Sequence, residues 1–141
     1  MVGVVLKARV ALWSMIISLV FLACSDKTPT ASAPSGPPDY DGVHDITTCN
    51  GIMGWALDRN RPNDPIRVEI YDGDTLLATV TAGDFRQDLL DAGKGNGKHG
   101  FTYPVPPRLR DGQTHLIRMK YAGTNTDLSH TPKEINCTFA Q

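Results

Sequence analysis

Apolar and polar residues alternate over "IRVEIYD", Ile66–Asp72, with Ile66, Val68 and Ile70 on one side and Arg67, Glu69 and Tyr71 on the other. A period of two marks a strand buried on one face. "HLIRMKYA", His115–Ala122, repeats it, setting Ile117, Met119 and Tyr121 against Arg118 and Lys120. "LLATVTA", Leu76–Ala82, is rich in β-branched residues. Asp72-Gly73-Asp74 before it predicts a hairpin, because glycine takes the positive φ of a tight turn. "GIMGWALD", Gly51–Asp58, and "EINCTFA", Glu134–Ala140, read as strands that carry or flank two cysteines. In "PPRLRDGQT" two prolines and an Asp-Gly pair predict a loop. A single stretch reads as helix: Asp84–Gly93, with Asp84 as N-cap, Phe85, Leu89 and Leu90 on one side, and Gly93 as the stop.

Six to eight short strands at intervals near ten residues, with one short helical turn, predict an all-β fold, a single immunoglobulin/fibronectin-like β-sandwich. It occupies residues 39–141. What precedes it reads as an address. Lys7 and Arg9 lead into an apolar run, Val10 to Ala23, broken only by Ser14 and Ser18 and ending at Cys24. A membrane span needs about 20 apolar residues, more than this run offers, so residues 1–23 are expected to be a signal peptide. "FLAC" resembles the lipobox of bacterial lipoproteins, with Phe21 where leucine is commoner. That resemblance implies cleavage before Cys24, a thioether-linked diacylglycerol on its sulfur, and an acylated amino group. Residues 25–38, "SDKTPTASAPSGPP", hold no large apolar side chain and cannot build a core. With Cys24 they form a tether of roughly 20 Å as flexible coil and at most about 43 Å as polyproline helix.

Charge narrows the partners. Residues 39–141 carry 11 Lys and Arg against 14 Asp and Glu, interspersed along the chain. Nucleic-acid binding would want a basic face, and is not expected. With Cys24 assigned to lipid, Cys49 and Cys137 remain, an even pair that in an exported domain reads as a disulfide. It would close a loop of about 89 residues, worth about 4 to 5 kcal/mol in the chain-entropy model. Structural zinc needs four ligands, and the histidines and cysteines lack partner spacing for it.

"GKGNGKHGF" contains Gly95, Gly97 and Gly100 in the spacing of a dinucleotide fingerprint. Such glycines follow a strand and open a helix whose N–H groups hold a pyrophosphate. Here the helical stretch comes first and "FTYPVPP" follows, so the glycines are expected to form a flexible turn delivering Phe101 into a strand of the opposite sheet. Lys98 is followed by His99 rather than Ser or Thr, which also excludes a P-loop. No nucleotide, cofactor or metal is expected.

Asp84, Asp88 and His99 could serve a small envelope hydrolase as general acid and base. No nucleophile, glycine elbow or metal motif accompanies them. The structural alternative makes Asp84 a cap, places Arg86 and Asp88 in a polar network with loop carbonyls and N–H groups, and lets His99 bond the turn it enters. "DGDT" and "NRPND" concentrate oxygens but read as turns rather than calcium loops. Trp55 is expected in the core beside the disulfide, and Tyr71, on a polar face, as an exposed ring able to stack on a sugar.

"GWALD" at Gly54–Asp58, "FRQDLLDAGKGNGKHGF" at Phe85–Phe101, "DGQTH" at Asp111–His115 and the late cysteine together resemble a bacterial extracellular β-sandwich module. That module stands alone or is appended to larger proteins, glycosyltransferases and surface proteins among them. The resemblance implies a fold and no catalytic residues. The expected protein is non-enzymatic, lipid-anchored in the bacterial cell envelope and facing periplasm or exterior. Its partners are the membrane, through the anchor, and an envelope glycan or protein.

Overall fold

A computed structural model describes residues 36–139 of the chain. The expected signal peptide, Cys24 and most of the tether lie outside the described residues. Eight strands form two antiparallel four-stranded sheets: β1 (Tyr40–Thr48), β2 (Gly51–Asp58), β6 (Lys98–Tyr103) and β5 (Asp84–Phe85) in one, and β4 (Thr75–Ala82), β3 (Ile66–Asp72), β7 (Asp111–Tyr121) and β8 (Lys133–Thr138) in the other, each in that spatial order. The first order is that of strands A, B, E and D in an immunoglobulin constant domain, and the second adds one strand to C, F and G. The fold is the expected all-β sandwich.

Period two decides what the sandwich encloses. Val68 and Ile70 of β3, Ile117, Met119 and Tyr121 of β7, Ile135 and Cys137 of β8 and Ile52, Ala56 and Phe101 of the other sheet form one buried cluster. Each large apolar side chain there contributes about 1.5–3 kcal/mol by leaving water. Tyr40 stacks on Tyr121 across the sheets, ring centres 4.5 Å apart. Cys49, in the β1–β2 turn, is bonded to Cys137 in β8, so the disulfide ties an edge of one sheet to an edge of the other.

Several expectations are corrected. β1 is a full strand that alternation does not announce, because a bulge at Asp45 interrupts it: His44 pairs with Gly54 and Ile46 with Met53. His44 therefore faces inward and Ile46 outward, although two residues apart. The helix is a single short one, α1 (Gln87–Asp91), with Arg86 at its N-cap position and no side-chain cap. Asp84 and Phe85 pair as β5 with Gly100 and Lys98 of β6, so Asp84 is not the cap. Of the three apolar residues expected on one side, only Leu89 is buried. The crossing between sheets falls at Gly83, between β4 and β5, and Phe101 enters the same sheet as β5. Asp111-Gly112 opens β7 at an irregularity rather than making a loop, and Pro107–Leu109 is a 3-10 turn.

Candidate functional site

The first sheet has two faces, and only one belongs to the sandwich. Cross-strand partners share a face, so the pairs Ile46 with Met53 and Met53 with Thr102 turn outward, as do Val43 with Trp55. This outer face is divided. At one end α1 lays Leu89 on Trp55 and Leu57 to form a second buried cluster with Val43 at its margin. Trp55 thus lies beneath α1, not beside the disulfide, because it shares parity with Met53 rather than with Ile52. Lys94 stands over its ring at 5.1 Å and reaches Asp41 at 2.6 Å.

The other end is open. A cavity of about 540 Å³ is lined by Ile46, Met53, Phe85 and Thr102, with Asp45, Asp84 and Arg86 at its sides. Phe85 is 54% and Ile46 47% exposed, two of the few large apolar side chains left in water among the described residues. Arg86 separates the halves. Its side chain crosses β6 at Gly100, where a Cβ would come within 2.8 Å of the arginine Cδ. It donates from Nε and Nη2 to Asp88 at 3.1 and 2.7 Å and from Nη1 to Asp45. The Asp88 bonds foremost, together with Asp45, raise the Arg86 pKa, and the Arg86 bonds hold Asp88 below the usual carboxylate range. The expected network exists, but its partners are carboxylates rather than loop backbone.

The three hydrolase candidates do not share this cavity. Asp84 lines it. Asp88 has both oxygens on Arg86. His99 is fully buried, its Nε2 2.9 Å from the Pro62 carbonyl of the β2–β3 loop rather than bonded to its own turn. The glycine turn packs closely on the β2–β3 loop: a Cβ on Gly95 would sit 1.6 Å from the Pro62 oxygen.

The Tyr71 ring is engaged by its own sheet. Its hydroxyl donates to Glu69 at 2.8 Å, and Lys120 stands over it at 5.6 Å. His115 lies between Asp72, 2.7 Å away, and Asp111, 3.0 Å away. Burial lowers its pKa, and the bonds to Asp111 and Asp72 outweigh that, leaving it raised. Among the described residues no set of His, Cys, Asp and Glu is placed to hold a metal ion.

No family model matches the chain, and no curated protein matches it. Among solved structures, an engineered protein is similar at 12% identity with a TM-score of 0.35, over 75% of this chain and 21% of its own length. The chain spans about a fifth of that structure, and the likeness is too slight to bear on function.

Proposed function

We propose that this is a lipid-anchored, non-catalytic protein of the bacterial cell envelope, whose β-sandwich binds an envelope polymer or protein at the outer face of its first sheet. The observation that carries the reading is the open cavity itself. Exposed Phe85 and Ile46 flank it, and it gathers no pair of free titratable groups of the kind acid–base catalysis needs. The hydrolase alternative would need Asp84, Asp88 and His99 at one point, and two of the three are bonded elsewhere. The lipobox-like "FLAC", the core-free tether and a disulfide suited to an oxidising compartment support the location.

Two measurements test this. Mass spectrometry of the mature, membrane-associated protein should find Cys24 at its N-terminus carrying diacylglycerol, and Cys24→Ala should leave the precursor uncleaved or release the domain. An unmodified Cys24 in that fraction overturns the anchor. Capture from envelope extract and a glycan array, run beside Phe85→Ala, should yield a ligand that the variant loses. Turnover of an envelope substrate that depends on Asp84 would overturn the non-catalytic reading.

A further inference from the structure

We propose that the partner at this groove is a basic and apolar segment of another protein. This rests on the binding-module reading above and names the class of ligand. The first reason is charge. Asp45 and Asp84 line the cavity with Arg86 the one cation among its lining residues, and Arg86 is already paired with Asp45 and, outside the lining, with Asp88. All three nitrogens of Arg86 already donate to Asp45 and Asp88, so its charge is matched by two carboxylates before a phosphate, an acidic polysaccharide or an anionic headgroup arrives. The Asp84 carboxylate has no hydrogen-bond or ion-pair partner among the described residues. A lysine or arginine of the partner supplies the missing charge, and anionic surfaces are repelled.

The second reason is the lining. Met53 forms an apolar floor between Ile46 on β1 and Phe85 on β5, at opposite edges of the sheet. A volume of about 540 Å³ accepts a few side chains. Met53 with its exposed flanks provides the apolar centre, and Asp45, Asp84 and Arg86 the polar rim, of a protein-binding patch. The third reason separates peptide from sugar. Sugar recognition uses aromatic faces, and the rings that could supply a platform are committed elsewhere: Trp55 lies under α1 and Lys94, Tyr71 is held by Glu69 and Lys120, Tyr103 packs against the core, and Tyr121 is buried against Tyr40. Of the two phenylalanines that line the groove, Phe101 is buried in the core and Phe85 is exposed.

The test uses the full chain in a non-ionic detergent and three fluorescein-labelled probes followed by anisotropy: the peptide Thr-Lys-Leu-Lys-Val-Thr, its glutamate counterpart Thr-Glu-Leu-Glu-Val-Thr, and an oligomer of β-1,4-linked N-acetylglucosamine. The basic peptide is expected to bind, and to weaken as salt rises. Phe85→Ala should weaken it about thirtyfold and Asp84→Asn about fivefold. Leu116→Ala, an exposed leucine on the other sheet, should change nothing. Both groove residues are exposed, and melting curves of the variants check that each is folded. Equal binding of the two peptides, failure of the basic one to bind, or binding that survives both groove variants overturns the proposal. Binding of the sugar oligomer alone also overturns it while leaving the binding-module reading intact, whereas hydrolysis of any probe overturns both.

Discussion

Arg86 and Asp45 meet across the outer face of the first sheet, although 41 residues separate them in the chain. One sits at the end of β5 and the other is the bulged residue of β1, so the pair joins opposite edges of the sheet. Asp45 keeps the outward parity of Val43, and the bulge turns Ile46 outward beside it. A second carboxylate, Asp88, holds the other side of the guanidinium.

Removing the strap should destabilise the fold. Arg86→Ala is expected to cost about 1 kcal/mol, carried by the partly shielded pair with Asp45, since Asp88 is exposed. In a domain of this size that lowers the melting temperature by about 4–8 °C for each kcal/mol. A double-mutant cycle with Asp45→Asn should show coupling between the two sites, and additive effects would refute the contact.

Cys49→Ser with Cys137→Ser should cost about 4–5 kcal/mol in the chain-entropy model, given a separation of 88 residues. Denaturant midpoints of the wild type and the double variant measure this. Alkylation of both cysteines in native, unreduced protein would contradict the bond.

Stability should fall in acid through His44. Burial first, and the nearby Lys133 charge second, push its pKa from 6.5 down to about 4. Its ring nitrogens meet the hydroxyls of Thr47 and Thr131 at 2.5 and 3.4 Å. The unfolded chain takes up a proton at higher pH than the folded one, so stability is complete above 6.5 and is lost as pH falls toward 4. From this group alone about 2 kcal/mol should be gone by about pH 5. His115, with a raised pKa, acts in the reverse sense and adds stability at low pH that is lost as pH rises. Urea melts across this range, compared between wild type and His44→Gln, isolate the first effect as a flatter profile in the variant.

Two glycines should respond differently to alanine. Gly73 has φ +55° with open space around it, so Gly73→Ala should cost only the left-handed backbone strain of about 1–2 kcal/mol. Gly95 has φ +53° as well, but its new Cβ would collide with the Pro62 carbonyl and approach His99 Nε2 at 2.9 Å. Gly95→Ala should therefore cost about 3 kcal/mol or more, read from the same denaturation experiment. Equal costs would mean that the glycine turn does not pack on the β2–β3 loop.

Alternation along single strands was enough to read β3 and β7 and the inward residues Val68, Ile70, Ile117 and Met119, because which face a side chain takes is a local property of extended backbone, and β-branched content after a turn was enough to read β4. The disulfide was legible too, since an isolated cysteine pair in an exported domain has one partner choice. β1 was not, because the residues it buries, Gly42 and His44, are not apolar and its bulge reverses the alternation midway. Nor was the fate of Trp55: parity says only that it opposes Ile52, and whether that outer face is covered depends on where α1 lands. The candidate groove is tertiary in the same sense. Ile46, Met53, Phe85 and Thr102 belong to four strands, and their nearness follows from the order β1-β2-β6-β5, set by pairing between distant segments. Local chemistry determined which stretches became strands; the pairing between them decided which outward residues stayed bare.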